Sequence, residues 1–391
     1  MVRLQTVEND PSSLTGKIVS VFGAARRDAT TPTWGSKFAD RIEPRAQRVL
    51  RVDPKLGTQG YDPKQAIRES DTVLFAVTPD EQINAIAAEH GCEFHEGQVI
   101  LECSTTKLQI AETLHNLDRR GLSVCSIHPG ARADLPSRGQ NMLIMEVGSH
   151  GAQAKVQAEE MAGILQMNPI EFVSFERHPL AMAITQGVDH AIQRAKIGAQ
   201  VRLLQLFGFT LEQAEAMAFA NTRLGNLATA RVAVQDPAVS AKIIAEARAL
   251  PETRQMLDTL IAKLTEMRDA DPKALAQMFA DDINALDPDG LWRKKMFPRT
   301  GRVLEQMANL EIKGMQIHSV QNEIGTLEAI TAVLRRNGIN ITAITSHNLE
   351  PEEGRPGVIF QLGIDEKSIF DLQCLSDDLA TIGAKIEQVS K

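Results

Sequence analysis

The sequence predicts an α/β protein: a doubly wound parallel sheet, then an all-helical region, then a small β-α-β-β-α-β module. Three observations predict it. Short apolar runs rich in β-branched residues alternate with helical spans from residue 17 to about 148. The pattern is then mostly helical from Gln153 to about Leu310. From Gly314 strands return, alternating with helices in the ferredoxin-like order.

In chain order, residues 1–15 read as a polar lead-in. "GKIVSVFG" (Gly16–Gly23) is a buried strand ending in glycine, the usual opening of a nucleotide-binding unit of the Rossmann kind. Such a unit continues as G-x-G-x-x-G into a helix, so that backbone N–H groups approach a pyrophosphate. Here Gly23 is followed by "AARRDATTPT" and then "WGSKFADRI", which puts Gly35 at the helix start. Arg26 and Arg27 stand where they can supply phosphate contacts; a solvated basic loop is the other reading. "RVLRVDP" is a second strand ending in Asp53, whose carboxylate suits a ribose diol and repels a 2′-phosphate, favouring NAD over NADP. An Asp before Pro is also a turn signal.

"DTVLFAVTP" (Asp71–Pro79) is the third strand, and Thr78 and Pro79 at its end are cofactor-side candidates. Val99–Glu102 and Leu122–Ile127 are the next strands, joined by the helical "LQIAETLHNLDRRG". Ligands gather at the carboxyl ends of parallel strands, where Ser104, Thr105, Lys107 and His128 fall. An imidazole, two hydroxyls and an ammonium around one crevice can bind an anion and move a proton. Thr105 reads equally as a helix N-cap.

These patterns give a dinucleotide-binding domain over 16–150, a helical dimerisation and substrate domain over 151–311, and a terminal module over 312–391. Several helices of the middle region are apolar around much of their circumference, so a homodimer built there is expected. "WRKKMFPRTGR" (Trp292–Arg302) reads as a solvated basic linker.

Composition excludes several classes. A net charge of −8 with one Tyr and two Trp gives neither a basic footprint nor stacking platforms, so nucleic acid is not the expected partner. The four cysteines at 92, 103, 125 and 374 show no metal-type pairing and suit a reducing cytoplasm. The histidines show no metal spacing either, and no metal is expected. No apolar run is long enough to span a bilayer, and the first residues hold no signal core.

Taken in order over residues 17–390, the motifs resemble the prephenate/arogenate dehydrogenases of tyrosine biosynthesis, followed by an ACT-like module. "FAVTP" is similar to the family's third-strand segment, and "ECSTTK" to its acidic-x-x-Ser-x-Lys motif, with Thr105 on the Ser position. "HP" at His128–Pro129 matches the dipeptide whose His is catalytic. "RHPLAMA" resembles Glu-His-Asp-x-x-Met-Ala with Pro179 in place of Asp, and "QGVDHA" sets His190 on a substrate-site position. "TRLGNLATARVAVQDP" places Arg223 and Arg231 on the family's two arginines. After His-Pro the family usually reads Met-(Phe/Ala)-Gly-(Pro/Thr), whereas Gly130, Ala131, Arg132 and Ala133 stand here.

The resemblance implies oxidative decarboxylation of prephenate or arogenate with NAD as hydride acceptor. His128 near its ordinary pKa then takes the hydroxyl proton, with Thr105 orienting it. The substrate is a dianion, so an arginine should grip a carboxylate; Arg231 comes first, then Arg223, then Arg132. The terminal module resembles segments that bind an amino-acid effector such as tyrosine or phenylalanine, at Asn322, Gly325, Thr326, Leu327, Thr345 and Ser346. Two other readings fit the departures: a silent ligand-sensing relative, and a dehydrogenase of an amino-substituted prephenate.

Overall fold

The computed structural model describes residues 13–28, 31–78, 81–105, 107–171, 173–311, 314–349, 356–365 and 367–390. The chain divides into two units: Met1–Gly187 with Ile243–Leu250, and Val188–Lys242 with Pro251–Lys391.

The first unit is built on seven strands: β1 Ile18–Phe22, β2 Arg48–Val52, β3 Thr72–Phe75, β4 Val99–Glu102, β5 Ser123–Pro129, β6 Asn141–Glu146 and β7 Asn168–Ile170. They lie in the order β2-β1-β3-β4-β5-β6-β7. Successive residues of a strand face opposite sides, and the sequence uses both. Val19, Val21, Leu74, Leu101, Cys125 and Ile127 join the core under the helices Trp34–Ile42 and Ala152–Ile164. Phe22, Val73, Phe75, Ile100 and Val124 join the core under Pro63–Glu69, Gln82–Glu89 and Ala111–Arg119. Helices therefore cover both faces, which is why the strands read as continuous apolar runs.

β1 to β5 are parallel, but β6 runs antiparallel to β5. The expectation of a wholly parallel sheet fails at this strand for a geometric reason. Between Pro129 and Asn141 the described chain forms no helix, and a parallel return needs a crossover of a dozen or more residues, usually helical. β7 is reached through the helix Ala152–Ile164 and is parallel to β6.

The two glycines at the opening of the unit are fixed by contact. Gly23 has φ of +81°, and a Cβ there would lie 2.3 Å from the Ala76 carbonyl oxygen. A Cβ on Gly35 would lie 2.1 Å from the Gly23 carbonyl oxygen, so the helix Trp34–Ile42 rests directly on the end of β1.

The second unit holds the helices Val188–Phe207, Leu211–Ala216, Ala220–Ala233, Pro251–Asp269, Pro272–Leu286 and Leu291–Glu311. The basic run expected as a linker lies inside the last of these. Asp287 explains it: its carboxylate accepts from the N–H groups of Trp292 and Arg293 and starts the helix there. Leu206, Phe207, Phe219, Leu286 and Phe297 stand 65–84% exposed. The unit ends in β8 Gly314–Ser319, β9 Ile341–Asn348, β10 Val358–Ile364 and β11 Ala384–Ser390, an antiparallel sheet in the order β11-β8-β10-β9. The helices Thr326–Arg336 and Leu372–Ala380 pack Ile330, Val333, Leu334, Leu375 and Leu379 against its Met315, Ile317, Phe360 and Leu362. Among the described residues, no helix is long and apolar enough to cross a membrane.

Gly35→Ala has no room for its methyl group. The substitution is expected to destabilise the chain by about 1–3 kcal/mol, read as a lower midpoint in urea.

Candidate active site

β4 and β5 are neighbours in register, Glu102 opposite Ser126, so their carboxyl ends open side by side. Glu102 is wholly buried there. Its Oε1 accepts from Lys107 Nζ at 2.5 Å and from the Ser126 hydroxyl. Its Oε2 accepts from the Ser104 N–H at 2.8 Å and the Ser104 hydroxyl at 2.6 Å. Lys107, 2% exposed, also donates to the Ile127 carbonyl at 3.1 Å, one residue before His128. This ion pair satisfies both its charges internally and fastens the β4 loop to the end of β5.

His128 is buried, and its Nδ1 lies 2.9 Å from Nε2 of His178, with ring centroids 5.1 Å apart. His178 opens the short helix His178–Met182, which Pro179 starts by presetting its own φ. It is 1% exposed, and its Nδ1 has no hydrogen-bond partner among the described residues. Burial, helped by the Lys107 charge, pushes the His128 pKa down to about 3. Burial, then the charges of Lys107 and His128, push that of His178 down to about 2. His128 thus departs from the ordinary value expected of it, because the site removes water from the ring. Both rings are neutral at pH 7, and one hydrogen is shared across the nitrogen–nitrogen contact.

Beside the pair lies a cavity of about 30 Å³, lined by Thr105, Lys107, His178, Met182, Gln186 and Glu246 among others. A π-helical turn, Ala183–Gly187, forms part of the wall. A Cβ on Gly187 would lie 2.3 Å from that of Ala247, so the end of the helix Pro237–Ala249 closes on this wall. Thr105 is exposed, and Ser104 is buried on Glu102.

Beyond the carboxyl end of β1, Arg26 pairs with Asp40 at 2.9 Å, and Arg27 is exposed. The Asp53 carboxylate accepts from the N–H groups of Ala25 at 3.2 Å and Lys55 at 2.9 Å, holding the glycine loop against β2. Thr78 is exposed at the end of β3; Pro79 lies outside the described residues. The segment after His128 is tied to the helix Trp34–Ile42. Trp34 Nε1 donates to the Ala131 carbonyl, and the buried Lys37 ammonium donates to those of Ala133 and Leu135. Arg132 forks the Asp134 carboxylate.

In the second unit His190 is buried, and its pKa is lowered by burial and by the charges of Arg231 and Arg194. His190 and Arg231 therefore share a neighbourhood, with Arg231 exposed and Arg223 half-buried. In the terminal sheet Gly325 and Thr326 line a cavity of about 480 Å³. Asn322 bonds Asn348, Leu327 and Ser346 are exposed, and Thr345 is half-buried.

The sequence reading missed His178, Glu102 and Ser126 as members of this cluster. The signal for His178 is legible in retrospect: the chain repeats the His-Pro dipeptide at 128–129 and 178–179.

No protein-family model matches the chain, and no curated protein sequence matches it. Among solved structures, it is similar to prephenate dehydrogenase from A. aeolicus in complex with hydroxyphenyl propionate and NAD+, at 15% identity and a TM-score of 0.52. That likeness covers 71% of this chain and 99% of the other. A second structure of prephenate dehydrogenase from Aquifex aeolicus gives 14% identity and a TM-score of 0.51 over 69% of this chain and 99% of that one. At such identity the likeness is one of fold: an α/β, Rossmann-like architecture with a mostly parallel sheet.

Two measurements test the site's electrostatics. Lys107→Met strands the Glu102 carboxylate without its cation and is expected to cost about 3–5 kcal/mol, much of it recovered in Glu102→Gln/Lys107→Met. Acid should also destabilise the fold. Unfolded imidazoles titrate near 6.5 and the folded pair near 3 and 2, so below pH 6.5 only the unfolded chain takes up protons. Stability is full above pH 6.5 and falls by about 1.4 kcal/mol per pH unit per ring, or about 4 kcal/mol for the pair by pH 5. Urea midpoints from pH 7 to 5 read this loss, and a His178→Asn variant should show about half of the pair's share.

Proposed function

We propose that the protein is an NAD-dependent dehydrogenase that oxidatively decarboxylates prephenate or arogenate. The observation that carries this reading is the buried, neutral His128 at the carboxyl end of a central strand, held against His178 beside a small cavity. Strand ends of this kind are where doubly wound sheets bind ligands. The fold likeness to prephenate dehydrogenase supports the choice of substrate class.

The nucleotide end suits a dinucleotide. Gly23 and Gly35 provide the close turn and the close helix approach that the fingerprint's glycines provide, and Arg26 and Arg27 add cations beside them. Asp53 retains lone pairs for a ribose diol beyond the two it gives to backbone N–H groups. NAD supplies the hydride acceptor when bound.

The chain's own groups do the rest. His128 Nε2 takes the hydrogen of the ring hydroxyl as the hydride departs, and its neutral state at pH 7 leaves it ready to accept. Thr105, on the cavity wall, shares that hydroxyl. Lys107, locked by Glu102 and Ile127, fixes the strand end that carries His128. Arg231, close to His190, holds a carboxylate of the substrate, with Arg223 and Arg132 as further candidates. The exposed apolar helices of the second unit form a homodimer interface. The terminal module acts as an ACT-like regulatory domain, and its cavity at Gly325 and Thr326 takes a tyrosine- or phenylalanine-like effector.

The test is NADH formation from prephenate and from arogenate, with and without tyrosine. One of the two substrates is expected to yield NADH, with inhibition by tyrosine that disappears on deletion of residues 312–391. Absence of turnover, together with no change in Trp34 fluorescence on NAD titration, sinks the proposal. His128→Asn should lower kcat by about 10²–10⁴-fold with KM little changed.

A further inference from the structure

A lone base that takes a proton at position 128 becomes an imidazolium where water is excluded. The geometry around it offers another route. We propose that His128 and His178 form a two-ring proton relay, which takes the hydroxyl proton at His128 Nε2 and releases another from His178 Nδ1 into the small cavity beside Glu246. The inference rests on the dehydrogenase reading only for the source of the proton.

Four observations place the relay. The rings meet through His128 Nδ1 and His178 Nε2 at 2.9 Å, leaving His128 Nε2 and His178 Nδ1 as the outer ends. His178 is 1% exposed, and its Nδ1 is buried with no hydrogen-bond partner among the described residues. His178 nonetheless lines a cavity whose other walls carry Thr105, Gln186 and the Glu246 carboxylate. That cavity, about 30 Å³, exceeds the roughly 10–15 Å³ that one water needs, and within its largely apolar lining Thr105, Lys107, Gln186 and Glu246 supply polar groups for such a water.

The protons balance. At rest His128 carries its hydrogen on Nδ1 and donates it to His178 Nε2, so His178 carries its own on Nδ1. When His128 Nε2 gains the hydroxyl proton, the Nδ1 hydrogen passes to His178 Nε2, and the His178 Nδ1 hydrogen passes through cavity water toward Glu246. Both rings finish neutral in the opposite tautomers. After product leaves, solvent takes the hydrogen from His128 Nε2 and the cavity water returns one to His178 Nδ1. No step leaves a buried cation, which matters because burial strongly disfavours the charged form of either ring. The charge of Lys107 does not provide an alternative sink, since its ammonium is already committed to Glu102 and Ile127.

The resting tautomers can be read without substrate, by ¹⁵N–¹H correlation of the imidazole rings in histidine-labelled full-length protein at pH 7. Rings 128 and 178 are assigned with His128→Asn and His178→Asn. The relay requires both rings neutral and His178 protonated on Nδ1; a His178 protonated on Nε2 overturns it, because His128 Nε2 is then blocked. If His178→Asn fails to fold, the two coupled rings of the native protein still carry the answer through their cross-ring contact.

Turnover adds a second readout. With whichever substrate yields NADH, the dependence of kcat on deuterium fraction should be curved in the native enzyme, reporting more than one proton in flight. It should become linear in Glu246→Gln, with kcat down about tenfold or more and KM within about twofold. A linear dependence in the native enzyme overturns the relay. Failure of both substrates to yield NADH overturns the substrate reading alone, and the tautomer spectrum then decides the pair.

Discussion

Charge confined away from water governs this chain. At the carboxyl ends of β4 and β5 a carboxylate, an ammonium and two imidazoles are all buried, and the two pairs are tolerated for different reasons. Glu102 and Lys107 neutralise each other and spend their remaining hydrogen-bonding capacity on Ser104, Ser126 and the Ile127 carbonyl. The imidazoles avoid charge altogether. An isolated ion here would cost several kcal/mol, so the cluster stands or falls as a whole. Its rigidity is what gives the end of β5 a fixed direction.

Much of this was legible in the residues, because the relevant rules are local. The apolar runs at 18–22, 48–52, 72–75, 99–102 and 123–129 are strands, and the amphipathic spans between them are helices. What escaped was long-range. Nothing near Asn141 announces that β6 returns antiparallel; only the lack of a crossover helix does. The repeated His-Pro dipeptide is the one local mark on His178, and it does not by itself say that the ring meets another fifty positions earlier. Glu102 and Ser126 look like ordinary strand-end polar residues until the register of β4 on β5 brings them face to face. The ordinary pKa assumed for His128 failed for the same reason, since burial is a property of the assembled site. The basic run at Trp292–Arg302 was misread as a linker because its helix is started by Asp287, which lies upstream of it.

The opening loop shows how one structural task can be met with different residues. Gly23 and Gly35 lie too far apart in sequence to form the short fingerprint, yet the second packs its missing side chain directly on the carbonyl of the first. Asp53 then ties the intervening loop to β2 through the Ala25 N–H. The contact that the short motif achieves by proximity along the chain is achieved here by folding.

The antiparallel return between β5 and β6 has a consequence for how this protein can diversify. Gly130–Gln140 leaves and re-enters the sheet at the same end, so its length and composition can drift without disturbing strand order. Its inner half, though, is anchored by Trp34 and Lys37 to the helix that follows the glycine loop. Gly139 is fixed as well, by its positive φ and its bonds to Gln166 and Asn168, so randomised libraries confined to the exposed Pro136 and Arg138 would explore new chemistry at the rim while inheriting an intact scaffold.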